Sequence, residues 1–276
     1  DKESIEMLFS DIDDPQQTMD AIINKIIDGT DSDFQGLSTW EAFRDKVDEF
    51  SQKSQKDDKK KSNEISVLSW RKFKRIINKA IRNDDMFANR VAESKGECRL
   101  TDEIRGIQKN DVYVIDIAKL SEDKQAFVFG DAIRAIYNLK LGEYDDILGN
   151  AKPPTRIVVF IDELNKYASK DTPKSSAILR EILDVTERGR SLGVVLFGAE
   201  QFRSNIHPRV TGNCSTHAYG RTNSIETETK DYKSLPPVYK NMLTRLSQGD
   251  YLIQNPMFRS LLKIHFPKPV YKQFKG

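Results

Sequence analysis

A mostly parallel α/β sheet in three layers, closed by an antiparallel tail and preceded by a small helical bundle, is the fold class that the sequence predicts. Three observations lead to it. Residues 156–163, Arg-Ile-Val-Val-Phe-Ile-Asp-Glu, form an apolar run without polar alternation, the pattern of a strand buried on both faces of a parallel sheet. Residues 193–199, Gly-Val-Val-Leu-Phe-Gly-Ala, repeat that texture. Before residue 105 apolar residues recur at helical spacing, whereas after it strand and helix patterns alternate.

The helical part is expected to span residues 1–105. Asp14-Pro15 opens a helix with Met19, Ile22, Ile23, Ile26 and Ile27 on one face, stopped by Gly29. Ser38 and Glu41 have capping-box spacing for a second helix, with Trp40, Phe43, Val47 and Phe50 inward. A third, over about residues 66–83, buries Trp70, Phe73, Ile76, Ile77, Ala80 and Ile81. Both tryptophans fall in register with the apolar stripes, which makes them core anchors rather than base-stacking platforms. Residues 52–62 are polar and have no hydrophobic period, so they read as an exposed linker. Arg71, Lys72, Lys74, Arg75, Lys79 and Arg82 make the polar face of the third helix basic, a candidate nucleic-acid surface.

The second part, residues 106–276, is expected to hold the sheet. Val112 to Ile117 reads as a strand, and Glu122 to Leu139 as a helix that buries Phe129, Ile133 and Ile136. After the run at 156–163, Thr172-Pro173 starts a helix carrying Ile178, Ile182 and Val185, and Gly189 ends it. Ser215 to Tyr219 reads as a further strand, and Tyr251 to Gln254 with Ser260 to Phe266 as a closing hairpin.

The chemistry gathers at strand ends. Asp162 and Glu163 close the first buried run, at the carboxyl end where parallel sheets place ligands. In nucleotide hydrolases built this way the first acid helps to hold Mg²⁺, through water, and the second polarises the attacking water, a Walker B pattern. A buried strand that ends in solvated acids has the same pattern when taken alone. Glu200 and Gln201 follow the neighbouring run, and a polar amide there suits contact with a γ-phosphate or the lytic water. Arg188 and Arg190 lie in the connection before that strand, where a guanidinium can neutralise charge on a transferring phosphoryl group. Arg203, His207 and Arg209 fit a channel, a subunit contact or a plain surface loop alike.

Several blocks together carry a resemblance. The order VVFIDELNKYA, ERGRSLGVVLFGAEQ, AYGRT and LSQGDYLIQNP, over about residues 106–268, resembles the carboxyl-terminal half of the ATPase core of the HerA and FtsK superfamily, nearer to HerA. That resemblance implies a RecA-like P-loop NTPase core, ATP and Mg²⁺ as cofactors, a homo-oligomer, commonly a hexamer, and double-stranded DNA as the track of a helicase or translocase. It also implies a nuclease or other effector partner, in DNA-end processing or anti-phage defence, and it places the helical insertion where the bundle lies. Within it, Asp162 supports Mg²⁺, Glu163 activates water, Gln201 senses the γ-phosphate, and Arg190 or Arg221 acts as a finger.

One block of that pattern is missing. No GxxxxGK[ST] string occurs; Gly193 to Gly198 has the glycine spacing, but Ala199 and Glu200 follow it. The chain is therefore expected to be the downstream part of a longer ATPase, with an unpaired slot between the strands at 193–199 and 215–219. The rival expectation is a non-hydrolytic oligomeric scaffold that has lost the loop. A third is a secretion or conjugation ATPase of the same superfamily.

Composition fits a soluble cytoplasmic protein with no membrane partner. The net charge of +2 neither demands nor excludes DNA. Cys98 and Cys214 stand far apart, which argues against a disulfide framework or a zinc site, and His207, His217 and His265 lack metal-ligand spacing.

Overall fold

The computed structural model describes residues 5, 18–27, 34, 36–37, 39–52, 65–81, 85–87, 96–143, 152–174 and 176–268. Two compact units result, Asp1–Ile157 with Pro173–Val195, and Val158–Thr172 with Leu196–Gly276. The linker reading of residues 52–62 falls, apart from Gln52, outside the described residues.

In the first unit, helices α1 (Thr18–Ile27), α2 (Trp40–Gln52) and α3 (Val67–Ile81) form the expected bundle. Their stripes meet in one core in which Ile22 and Phe73 are fully buried, together with Met19, Ile23, Val47 and Ile77. Trp70 is an anchor within it, stacked on Phe34 with ring centroids 5.9 Å apart. At the start of α2 Thr39 Oγ1 accepts the Ala42 N–H at 3.2 Å; Ser38, the expected cap, lies outside the described residues. Ser66 Oγ caps α3 by accepting the Ser69 N–H at 3.2 Å. Part of the basic face of α3 serves the bundle itself, since Lys74 pairs with Asp48 at 3.1 Å and Arg71 donates to the Ser51 carbonyl. Arg82 lies outside the described residues.

Helices α4 (Leu100–Arg105), α5 (Glu122–Leu141) and α6 (Ala177–Leu192) complete this unit, with α5 packed between α4 and α6. On α5, Ala132, Ile133, Ala135 and Leu139 are buried, while Phe129 and Ile136 are only partly so. Helix α6 starts later than Thr172-Pro173 implies, because Ser176 is its cap, accepting the Leu179 N–H. It also runs past Gly189, which sits inside the helix. The terminating residue is Gly193, in the left-handed region at φ 76°, a conformation for which a side chain is penalised. Gly189 serves close packing instead: a Cβ there would lie 3.0 Å from the Val194 carbonyl oxygen.

The expected strand at Val112 to Ile117 is not formed. These residues lie outside any strand, and Val112 and Val114 are 87% and 86% exposed. A strand is defined by a ladder, and among the described residues none pairs with this segment.

Strands β1 (Ile157–Ile161) and β2 (Val194–Gly198) pair in parallel, joined by Ile157 N to Gly193 O and Ala199 N to Ile161 O. The first run is not buried on both faces as expected. Ile157 and Ile161 are buried, but Phe160 is 76% exposed and stacks on Phe197 with centroids 4.9 Å apart. In the second unit β3 (His217–Tyr219), β4 (Asp250–Gln254) and β5 (Leu262–His265) form a separate antiparallel sheet in sequence order. The closing hairpin is thus present, with Ile253 opposite Leu262. One continuous mostly parallel sheet is not; the strands form two sheets, and among the described residues no ladder joins β2 to β3. The fold is mixed α/β with a helical portion and a small parallel sheet. Tyr219, Leu235, Leu246 and Leu252, with Leu243 from α9 (Pro237–Leu243), make the second core.

Candidate functional site

The second unit carries the ends of β1, β2 and β3. At the end of β1 the chain leaves the ladder at Asp162, and both Asp162 and Glu163 are exposed. Glu163 adopts φ 54° and ψ 50°, a left-handed conformation unfavourable for a side chain of its size, by roughly 1–2 kcal/mol. Asp162 Oδ1 accepts the Glu163 N–H at 3.0 Å, and a short 3-10 turn, Leu164–Lys166, follows at once. The bend stops the strand and leaves the two carboxylates beyond its last hydrogen bond. Tyr167 packs beneath this turn with its hydroxyl pKa raised, by burial first and by the Glu163 charge second.

The end of β2 is tied to that turn by Glu200. Its Oε2 accepts the Asn165 N–H at 2.8 Å, and its Oε1 accepts the N–H groups of Gln201 and Phe202 at 2.6 and 3.1 Å. The Leu164 N–H bonds to the Ala199 carbonyl beside it. One carboxylate therefore sets the relative position of the two strand ends. Gln201 leaves this knot with an exposed side chain.

Gln201 and Arg221 line the same recess, of about 700 Å³. Phe202, Thr222, α8 (Ser224–Thr227), Lys240, Asn241 and Thr244 also face it. Its two sides are clamped by Glu226, which is 5% exposed: Oε1 accepts the Ser204 N–H at 2.9 Å and Oε2 the Ser204 hydroxyl at 2.8 Å. Asn223 caps α8 by accepting the Glu226 N–H at 2.7 Å. Beside the clamp, Arg203 Nη1 lies 2.8 Å from His217 Nδ1, and the guanidinium lies over the Tyr219 ring. Burial, and then Arg203, lower the His217 pKa to about 4, so the ring is neutral and accepts from Arg203.

The arrangement unites Gln201 with Arg221, and holds Asp162 and Glu163 at the adjoining strand end; the two acids do not line the recess. Arg188 and Arg190 belong to the other unit, exposed toward the end of α6, Arg190 in its last turn. Arg188 is bonded to the Tyr137 side chain, which raises its pKa. The other histidines have structural partners: His207 Nδ1 accepts the Arg209 N–H, and His265 lies 2.8 Å from Asp250. Among the described residues no group of three metal-ligating side chains occurs.

Sequence reasoning passed over Glu200, Ser204 and Glu226 as organising groups. For Glu226 a signal existed, because Asn223 precedes it at capping spacing. For Glu200 none did: its three partners are backbone groups brought together by the fold.

No protein family's sequence profile matches the chain. No curated protein matches it either. Among solved structures, VirB4 of Thermoanaerobacter pseudethanolicus is similar with a TM-score of 0.56 and 13% identity, over 97% of this chain and 69% of that one. That likeness is one of fold. The genome packaging NTPase B204 from Sulfolobus turreted icosahedral virus 2 in complex with sulfate gives a TM-score of 0.41 and 19% identity, over 60% of this chain and 71% of that one. Its complex with ATP-gammaS gives the same TM-score and identity, over 62% and 72%.

Proposed function

We propose that the chain is the hydrolytic part of an ATP-driven motor on double-stranded DNA, a HerA-like translocase or helicase of the HerA and FtsK superfamily. The observation that carries this reading is the exposed pair Asp162 and Glu163 at the carboxyl end of a parallel strand, tied through Glu200 to the end of the next. The fold shared with VirB4 supports it.

Mg·ATP fits this donor set: among the described residues, the Asp162 carboxylate is engaged only by the adjacent backbone N–H, and Glu163 stands open beside it. Bound Mg²⁺ supplies charge neutralisation on the phosphates. Asp162 would hold the ion. Glu163 takes the proton of a water aligned for attack, Gln201 donates its amide toward the terminal phosphate, and Arg221, or Arg190 from a neighbouring subunit, offers a guanidinium to the developing charge. The phosphate-binding loop is not among the residues of this chain and comes from elsewhere in the assembly. A hexamer in the cytoplasm, serving a nuclease or other effector in DNA-end processing or defence against phage, completes the reading. Among the described residues no helix is long and apolar enough to cross a membrane.

The test is Glu163→Gln in an assembly that hydrolyses ATP. Nucleotide binding is retained and turnover falls by about two orders of magnitude or more, because the amide cannot accept the proton. Wild-type turnover in the variant would overturn the assignment. A second reading, a secretion or conjugation ATPase of the same superfamily, rests on the VirB4 likeness extending over 97% of the chain. Stimulation of turnover by duplex DNA favours the first; indifference to DNA favours the second.

A further inference from the structure

The polar groups that remain open in the recess beside Gln201 are chiefly donors. Thr222 and Thr244 have committed their hydroxyl protons to the carbonyls of Gly220 and Asn241, at 3.0 and 2.9 Å. Both oxygens of the buried Glu226 are engaged by Ser204, and Asn223 Oδ1 by the Glu226 N–H. What remains is the Arg221 guanidinium, the Lys240 ammonium, the side-chain amides of Gln201 and Asn241 and the Ser224 hydroxyl, with Glu228 as an exposed acid among the lining residues. Among the described residues neither Arg221 nor Lys240 has a side-chain partner. Arg221 follows β3 and Lys240 comes from α9, so two separate elements bring positive charge to one concavity.

A recess whose buried acid is satisfied, and whose open groups are two cations, two amides and a hydroxyl against a single exposed acid, suits a ligand rich in acceptors. We propose that it holds a phosphoryl group of a nucleotide, and that Lys240 is a phosphate-binding residue alongside Arg221. This rests on the nucleotide reading above but needs neither Glu163 nor turnover. Arg221 supplies a planar fork for two oxygens, and Lys240 a compact charge that adapts to the third. Glu228 opposes the ligand and limits its affinity.

The probe is inorganic pyrophosphate, titrated into the full 276-residue chain with backbone amide shifts followed by NMR. Shifts concentrate at residues 221–228 and 240–244. Lys240→Ala weakens binding about tenfold, the loss of one charge-assisted contact, and Lys240→Arg restores most of it. Glu228→Gln tightens binding about two- to threefold, an effect that fades with added salt and that a merely structural role for the loop does not produce. Lys174→Ala, on the other unit, changes nothing.

Equal affinity in wild type and Lys240→Ala overturns the proposal, as does absence of binding or shifts confined to other residues. Competition by ATP supports a nucleotide phosphate. Competition by a short DNA duplex but not by ATP overturns it in favour of backbone phosphate. Lys240-dependent binding in a protein whose turnover ignores Glu163 would sink the hydrolytic reading and leave the recess standing. Glu163-dependent turnover with no effect of Lys240 would sink the recess alone.

Discussion

Glu200 shows how one side chain can order two strand ends without chemistry of its own. Its two oxygens accept three backbone N–H groups, so the carboxylate fixes where Gln201 begins and where the turn after Asp162 ends. His217 is a second such residue, and it makes stability depend on pH. Its folded pKa of about 4 lies below the ordinary 6.5, so the unfolded chain takes up the proton first as pH falls. The stabilisation from the neutral ring is fully present above the ordinary value and is lost as pH drops toward the folded one. The urea midpoint of the wild type therefore falls between about pH 7 and about pH 4.5 more steeply than that of His217→Gln. Identical slopes would show that the ring is not held neutral by Arg203 and burial. Neither residue was legible as an organiser, because sequence shows composition at a strand end but not which backbone donors converge there. Asp162, Glu163 and Gln201 were legible as candidates because they lie just beyond apolar runs that the fold turns into strands, whereas Arg221, at the end of a short polar strand, was a candidate chiefly through the family resemblance.

Among the elements, the helices were read well where an apolar stripe repeats over several turns, as in α1 to α3 and α6. Their ends were read less well. Gly189 reads as the stop from sequence, whereas Gly193 is the residue that ends the helix, and only the path of the chain distinguishes a glycine needed for close packing from one needed for a left-handed cap. The consequence is measurable. Gly193→Ala places a Cβ 2.3 Å from the Thr155 carbonyl oxygen in a backbone at φ 76°, and costs roughly 1–3 kcal/mol. Gly212→Ala, in α7 (Pro208–Asn213) with open space around it, is neutral or slightly stabilising. Denaturant unfolding of the two variants checks the contrast. The segment at residues 112–117 marks the other limit: its residues have strand propensity on both faces, but a strand is a property of a pair, and the partner is not in the local sequence.

At the scale of the molecule, the buried-strand pattern correctly placed β1 beside β2, while the continuous sheet expected around them is two sheets in the described chain. Hydrophobic runs say that a strand wants neighbours on both sides; they do not say which segments supply them. The exposed faces of Phe160 and Val114 fit the same account. On the proposed function, and with no GxxxxGK[ST] string in its sequence, the 276-residue chain alone is expected to bind Mg·ATP weakly, with a calorimetric Kd of about a millimolar or poorer, since most phosphate contacts in P-loop nucleotide hydrolases come from that loop. Micromolar binding by the isolated chain would mean that another segment does the work of the loop.

The bond between Glu226 and Ser204 has a mechanical meaning as well. Ser204 stands three residues beyond Gln201 and Glu226 five beyond Arg221, and both carboxylate oxygens grip the same serine. Two loops that leave different sheets are thereby coupled like the arms of a pair of tongs riveted near the tips. A displacement of the Gln201 loop is therefore expected to be carried to the Arg221 loop, because moving one apart from the other means breaking both bonds to Ser204.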